Sequence, residues 1–224
     1  MMPREIRPKE VKILVNEFIK DKNFLASAVT MPLKNKFKTY ITYGNKLSQI
    51  AGSINLIVKI KKKLFGYNTD ISAAIKSLPL TKKKKIMIFG LGGTGKPLAK
   101  VLSKKNKDGY CYCVSSKRHI DIKNKNLIIK KKIDNNVLKE IDIFINCSPL
   151  GSNLNKKFIR KSPLNMNQIN LMKKKAFVFD IVYKPHNTLL KKQCEKNKIK
   201  YINGLRMNSL QAEEALNIVF KNIR

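Results

Sequence analysis

Two groups of residues in this sequence have types and spacing that could form a binding or catalytic site. The first is a run of glycines. Gly90, Gly92, Gly93 and Gly95 follow a short apolar segment, residues 86–89, and precede apolar residues at helical spacing. Strand, glycine turn and helix is the order that a nucleotide pyrophosphate site requires, because glycines let a ligand approach and the helix start presents free N–H groups. The same glycines could instead serve only the packing of a plain strand-to-helix turn.

The second group is Lys34 and Asp70. A segment that begins at Ala26 starts as a strand and is stopped by Pro32, so Lys34 is expected just past a strand end, where side chains are often held for chemistry. Asp70 is one of only 14 acidic residues and follows a predicted strand, residues 64–67. The alternatives are a solvated surface amine for Lys34 and, for Asp70, a cap on the helix that follows.

The end of another predicted strand, residues 110–114, bears on the choice of nucleotide. It is followed by Ser115, Ser116, Lys117 and Arg118, where an NAD-binding fold places an acidic residue on the ribose 2′-hydroxyl. Hydroxyl groups and cations there would suit a 2′-phosphate instead. The position favours NADP over NAD, although basic residues are common throughout this chain.

The charge of the chain is unusual. Lys and Arg number 48 against 14 Asp and Glu, which gives a formal net charge of +34. Such an excess often indicates nucleic-acid binding, but here the lysines are spread along the whole chain with few aromatic residues between them to stack on bases. We therefore expect no nucleic-acid partner, and we interpret the abundance of Lys, Asn and Ile as the drift of an AT-rich genome.

Composition also limits the location and the metal chemistry. With 43% hydrophobic residues the chain can form a real core, yet no apolar run reaches the length of a bilayer span and no signal-peptide core begins it. We expect a cytoplasmic protein without a membrane partner. The four cysteines are too few for a disulfide framework and lack the spacing of a zinc site, so we expect no metal.

The predicted elements indicate an α/β protein of two lobes. Strands at residues 86–89, 110–114, 142–146 and 176–183 are nearly continuous in apolar residues and alternate with helices, which is typical of a parallel, Rossmann-like sheet. The polar residues that follow these strands should meet at one edge of the sheet.

The remaining residues predict a second, smaller lobe. An amphipathic helix at residues 10–24 and strands at residues 53–58 and 64–67 come before the glycine turn. We expect a substrate domain over residues 1–70, completed by a C-terminal helix at residues 205–224, and a nucleotide domain over residues 71–204.

The chain resembles the shikimate dehydrogenase family in seven motifs that occur in order along nearly its whole length: VTMPLK (29–34), SIN (53–55), GYNTD (66–70), GLGGTG (90–95), NCSPLG (146–151), DIVYKP (180–185) and GLRMNSLQA (204–212). The resemblance implies an NADP-dependent, reversible reduction of 3-dehydroshikimate to shikimate, a step of chorismate and aromatic amino acid biosynthesis. It also implies a small-molecule substrate and a monomer or homodimer.

The resemblance assigns roles residue by residue. It implies that Lys34 gives and takes the proton at the reacting oxygen, with Asp70 beside it as the second catalytic residue. The residues that the resemblance places on the substrate are Thr30, Asn55, Tyr183 and Gln211. Those that it places on the cofactor are Gly90, Leu91, Gly92, Gly93, Thr94, Ser116, Lys117, Ile181 and Gly204.

The sequence also departs from the family pattern. Family members begin with a strand and a loop whose Ser-x-Ser pair binds the substrate carboxylate, and we expect this chain to start after that segment, as an N-terminally truncated member with an incomplete substrate domain. Leu56 and Ile71 replace the usual Thr and Gly next to functional positions. We expect retained chemistry with weaker substrate affinity. The alternative is a non-catalytic NADP-binding relative, or one of altered specificity toward quinate-like substrates.

Overall fold

A computed structural model describes residues 4–30, 32–80, 84–106, 109–115 and 125–222. The chain divides into two units. The first contains Met1–Ala74 together with Ser209–Arg224, and the second contains Ile75–Asn208. The predicted cofactor residues Ser116 and Lys117 lie outside the described residues.

The first unit is built on a four-stranded mixed sheet. Strands β3 and β4 form an antiparallel hairpin, β1 pairs antiparallel with β3, and β2 pairs parallel with β4, so the order is β1-β3-β4-β2. The strands are β1 (Ala26–Ala28), β2 (Thr42–Tyr43), β3 (Leu56–Ile60) and β4 (Lys63–Tyr67). The helices that bear on this unit are α1 (Val11–Lys20), α2 (Lys46–Ala51), α3 (Thr69–Ser77) and α8 (Leu205–Asn222).

The first three residues of β3 are buried, and they contribute to apolar clusters on both faces of the sheet, because successive side chains of a strand point to opposite sides. Ile57 belongs to one apolar cluster, which includes Val11, Leu14 and Val15 of α1. Its neighbours in β3 belong to another cluster, against which α8 packs Ala215, Ile218 and Val219. Helices α1 and α8 therefore cover different faces of the same short sheet.

Helix α1 ends four residues earlier than the apolar spacing predicted. Asp21 leaves the helical conformation, and its side chain accepts a hydrogen bond from the Asn23 backbone N–H at 2.8 Å, which forms a local turn. Phe24 nevertheless reaches the predicted face, since its ring stacks on that of Phe18 with centroids 3.8 Å apart. The apolar spacing thus indicated the buried face of the segment, but not the point where the helix ends. That point depends on the Asp21 side chain, whose hydrogen bond with the backbone replaces a further helical turn.

The second unit contains a six-stranded sheet that is parallel throughout, in the order β10-β9-β8-β5-β6-β7. The prediction of a parallel, Rossmann-like sheet is confirmed. Its strands are β5 (Lys85–Phe89), β6 (Tyr110–Val114), β7 (Leu127–Lys130), β8 (Ile143–Asn146), β9 (Phe177–Asp180) and β10 (Lys200–Asn203). Its helices are α4 (Gly95–Lys105), α5 (Asn135–Glu140), α6 (Met166–Leu171) and α7 (Leu189–Lys196).

The central strands of this sheet carry the core of the second unit. Met87, Phe144 and Val178 lie next to one another on β5, β8 and β9 and are almost completely buried. Leu138 of α5 and Ile169 of α6 pack against the same cluster. Because all six strands run in one direction, their last residues lie at the same edge of the sheet. These include Phe89, Val114, Asn146, Asp180 and Asn203.

Within the residues that the structure describes, every helix is too short or too polar to cross a membrane.

Candidate active site

Lys34 is held by its backbone as well as by its side chain. It lies in a 3₁₀ turn, Leu33–Asn35, that starts directly after Pro32, and its carbonyl accepts a hydrogen bond of 2.8 Å from the Ile54 N–H at the approach to β3. Its ammonium group donates to Asp70 Oδ2. The side chains of Lys34 and Asp70 are only 18% and 16% exposed, so solvent screens this ion pair less than a surface pair.

Asp70 reaches Lys34 because Asn68 takes the capping role at the start of α3. Asn68 Oδ1 accepts from the Ile71 N–H at 3.0 Å, and its Nδ2 donates to the Ser53 carbonyl and hydroxyl oxygens, each at 2.9 Å. The Asn68 N–H in turn donates to the Ser48 hydroxyl. The cap that the sequence suggested for Asp70 is thus made by Asn68, and the carboxylate of Asp70 pairs with the lysine.

A second polar group lies at the same end of α3. Asn55 Oδ1 accepts from the Thr69 N–H at 2.8 Å, and Asn55 Nδ2 donates to Thr69 Oγ1 at 2.9 Å. Gln211 Oε1, on α8, lies 3.4 Å from Asn55 Nδ2 and 3.5 Å from Thr69 Oγ1. The structure therefore brings together Asn55 and Gln211, which are 156 residues apart in the chain.

Thr69 belongs to this group and was not among the predicted site residues. It is fully buried, and its hydroxyl is the point at which Asn55 and Gln211 meet. Its position beside Asp70 was available in the sequence, but a threonine before a helix is so common as a cap that its type alone gave no signal. Thr30, by contrast, is exposed, and its carbonyl accepts from the Leu33 N–H that starts the turn carrying Lys34.

In the second unit, the glycines after β5 divide into two kinds. Gly90 has a φ of +91°, and a Cβ there would lie 3.0 Å from the Ser148 backbone nitrogen. A Cβ on Gly95 would lie 1.9 Å from the Gly90 carbonyl oxygen, which no side chain can tolerate. These two glycines are required by the packing of the turn against the end of β8.

Gly92 and Gly93 serve a different purpose. Both are exposed, and a Cβ on Gly92 would meet no atom within 4 Å. They lie immediately before α4, whose first turn contains no acidic residue and includes Lys96. The free N–H groups and positive end of a helix favour an anion, and Lys96 adds a positive charge, so this turn can hold a phosphate group.

The edge of the sheet beside the turn is fixed by a buried carboxylate. Asp180 Oδ1 accepts from Asn146 Nδ2 at 2.9 Å and from the Val182 N–H at 3.1 Å, and Asp180 Oδ2 accepts from the Tyr201 hydroxyl at 3.0 Å. Burial raises the pKa of Asp180 to about 6, while these donors and Thr188 act in the opposite direction. Burial, followed by the charge of Asp180, also raises the pKa of Tyr201. The sequence motifs contained Asn146 and Asp180, but no role was assigned to either.

This buried network shapes the segment that follows β9. That strand ends at Asp180, three residues before the predicted end, because the Asp180 side chain turns the chain through the Val182 N–H. Ile181 donates its N–H to the Asn146 carbonyl at 3.1 Å, and a Cβ on Gly204 would lie 2.1 Å from the Ile181 carbonyl oxygen. The structure thus brings Ile181 and Gly204 into contact. Tyr183 follows and is 40% exposed.

Comparisons with known proteins give a consistent result. The chain is 30% identical over 213 residues to a shikimate dehydrogenase (NADP(+)) of Clostridium botulinum, with 91% of this chain and 80% of that protein covered. It is 32% identical over 232 residues to a shikimate dehydrogenase (NADP(+)) of Pyrococcus furiosus, with 97% and 78% covered. No protein-family model matches the chain.

Solved structures show the same fold. A shikimate 5-dehydrogenase from Listeria monocytogenes, in complex with shikimate and NAD, superposes with a TM-score of 0.79 at 24% identity, over 97% of this chain and 80% of that one. A shikimate dehydrogenase in complex with NADP+ superposes with a TM-score of 0.80, also at 24% identity, over 96% of this chain and 77% of that one.

Proposed function

The chain belongs to the shikimate dehydrogenase family, and we propose that it catalyses the NADP-dependent, reversible reduction of 3-dehydroshikimate to shikimate. The observation that carries this proposal is the pairing of Lys34 with Asp70 beside the Asn55, Thr69 and Gln211 group. These five side chains offer a proton donor and several hydrogen-bonding groups, which a polyhydroxylated ring acid would use.

Lys34 is the group that exchanges a proton with the substrate. NADPH, when bound, supplies the hydride that reaches the carbonyl carbon, and the carbonyl oxygen then needs one proton to become the hydroxyl of shikimate. The Lys34 ammonium donates that proton, and in the reverse direction its neutral amine accepts the proton from the hydroxyl. Asp70 accepts a hydrogen bond from Lys34 Nζ and so holds it in one place.

The substrate hydroxyls are held by the neighbouring polar residues. Asn55 and Gln211 each have an amide that can both donate and accept, and Thr69 adds a hydroxyl. Asn55 and Thr69 are buried, so solvent would screen their hydrogen bonds to a substrate hydroxyl only weakly. Thr30 and Tyr183 complete the proposed substrate contacts, and their support comes from the family resemblance.

The second unit binds NADP through the glycine turn. Gly90, Leu91, Gly92, Gly93 and Thr94 would cradle the pyrophosphate at the start of α4, and the exposed Gly92 and Gly93 leave room for it. Ile181 and Gly204, which are in contact, would face the nicotinamide half. Ser116 and Lys117 would hold the 2′-phosphate, a prediction that rests on their positions after β6.

The two units separate these tasks along the chain. Residues 1–70 with the helix over residues 205–224 would bind the substrate, and residues 71–204 would bind the cofactor. In support, Lys34, Asp70, Asn55 and Gln211 all belong to the first unit, and the glycine turn belongs to the second. The oligomeric state, monomer or homodimer, stays a prediction.

The proposal is tested by incubating the full chain with shikimate and NADP+, recording the absorbance of the reduced nicotinamide, and identifying the product by mass spectrometry. We expect one 3-dehydroshikimate for each NADPH formed, and a lower kcat/KM with NAD+ or with quinate. NADPH binding without any turnover of shikimate would contradict the proposal and would indicate a non-catalytic relative.

A further inference from the structure

Helices α3 and α8 carry two matched pairs of polar residues. On α3, Thr69 and Ser72 are three positions apart, so they lie on the same face. On α8, Gln211 and Glu214 have the same spacing. Thr69 contacts Gln211, and one turn further along both helices the Ser72 hydroxyl donates to Glu214 Oε2 at 2.6 Å.

The two contacts differ greatly in strength. Gln211 Oε1 lies 3.4 Å and 3.5 Å from its two donors, which is near the outer limit for a hydrogen bond. The bond from Ser72 to Glu214 is short and has a charged acceptor, a combination typical of the stronger hydrogen bonds in proteins. The position of the Gln211 amide is therefore set less by its own contacts than by the placement of α8.

Apolar packing alone does not determine that placement. Ala215, Ile218 and Val219 hold α8 against the sheet of the first unit, but apolar contacts have no direction and tolerate small shifts along the helix axis. A short hydrogen bond between two half-buried side chains is directional, so it fixes how far α8 extends along α3.

We propose that Glu214 is a positioning residue for substrate binding: through its hydrogen bond from Ser72 it holds α8 in the register that places Gln211 against Asn55 and Thr69. This inference rests on the proposed function, in which Gln211 contacts the substrate. Glu214 itself takes no part in proton or hydride transfer, so its loss weakens binding of the ring acid and leaves the chemical step nearly intact.

The test compares steady-state constants for Glu214→Ala and Ser72→Ala with those of the unmodified chain. Each variant should raise the KM for shikimate about five- to tenfold, which is the effect of losing one hydrogen bond of ordinary net strength. The kcat and the KM for NADP+ should stay within about twofold. Glu214→Gln keeps an acceptor for Ser72 and should restore most of the affinity, and Glu213→Ala, which removes the adjacent exposed carboxylate, should have no effect.

Double variants separate positioning from general destabilisation. Combining Ser72→Ala with Glu214→Ala should give the KM of Glu214→Ala alone, and adding Glu214→Ala to Gln211→Ala should raise the KM no further. Additive effects, or an equal rise in the KM for NADP+, would overturn the inference. A chain that turns over shikimate with an unchanged KM in Glu214→Ala contradicts this inference alone, whereas an unmodified chain without turnover contradicts the proposed function and this inference with it.

Discussion

The environment of the Lys34 ammonium group distinguishes it from the exposed lysines of this chain. Its side chain is mostly buried, its carbonyl is bonded to Ile54, and its ammonium donates to a carboxylate from a distant part of the sequence. Lys36, two residues further on, is exposed and directly follows the same turn. The sequence predicted that Lys34 follows a strand end, but spacing alone could not predict its partner 36 residues away, which came from the family resemblance.

Asp180 gives a prediction at the scale of one residue. Burial raises its pKa from 3.8 to about 6, so the folded state holds the proton more tightly than the unfolded state does. The associated stability is present at low pH and is lost as pH rises through about 4 to 6, because the unfolded chain then ionises freely. The loss is about 3 kcal/mol, at about 1.4 kcal/mol for each pKa unit.

Asp180→Asn removes this titration. The free energy of unfolding of the variant, relative to that of the unmodified chain, should therefore increase between pH 4 and pH 7 when both are measured by urea denaturation. Asp142→Asn is the control: burial acts to raise the pKa of Asp142, but hydrogen bonds from Lys85 and Lys173 lower it overall from 3.8. Its removal should therefore leave the difference in the free energy of unfolding nearly constant between pH 4 and pH 7, and should give the opposite trend only below about pH 4. A pH-independent difference for Asp180→Asn would show that Asp180 has a normal pKa in the folded protein.

At the scale of elements, the buried strands were the easiest to predict. Strand β6 has the predicted bounds, and β5 and β8 differ from prediction by one residue each, since continuous apolar runs have few other solutions in a parallel sheet. Helices α5 and α6 were not predicted, because each has six residues and buries only one, which leaves no periodic pattern to detect.

The glycine turn combines the two interpretations that its sequence allowed. Gly90 and Gly95 are packing glycines, a Cβ on Gly92 would enter open space, and Gly93 is exposed beside it at the start of α4. Sequence alone could not assign each glycine to its kind, because the distinction depends on whether the end of β8 lies against it. The structure supplies that information through the distances to Ser148 and to the Gly90 carbonyl oxygen.

This division predicts different effects for two similar substitutions, one on stability and the other on cofactor binding. Gly95→Ala should lower the free energy of unfolding by about 1–3 kcal/mol or more, because its Cβ would overlap the Gly90 carbonyl oxygen. Gly92→Ala should leave stability within about 0.5 kcal/mol, because its Cβ enters open space, yet it should raise the KM for NADP+ several-fold by occupying the room for phosphate. Denaturant unfolding and cofactor titration measure the two effects. Equal destabilisation by both variants would contradict the assignment.

At the scale of the whole molecule, the formal net charge of +34 is the feature that the fold leaves unexplained. The described ion pairs involve few of the lysines, and most of the acidic partners are at least partly exposed. The proposed substrate and cofactor are both anions. A protein with this charge attracts them over distances that depend on ionic strength.

The charge therefore predicts salt-sensitive kinetics. Raising the KCl concentration from about 0.05 to 0.5 M should lower kcat/KM for both shikimate and NADP+ several-fold, while kcat at saturation changes much less. Sucrose at matched osmolality controls for effects of solute that are not electrostatic. Values of kcat/KM that are independent of salt would show that the charge does not assist binding of these anions.

The measurement that tests the central claim most directly is the rate of shikimate-dependent NADP+ reduction in Lys34→Ala beside Lys36→Ala. The account predicts that Lys34→Ala loses at least about 100-fold in kcat, the usual contribution of a general acid and base, while it still binds NADPH. Lys36→Ala, which removes the exposed lysine directly after the same turn, should keep kcat within about twofold. A Lys34→Ala variant with the kcat of the unmodified chain would contradict the account.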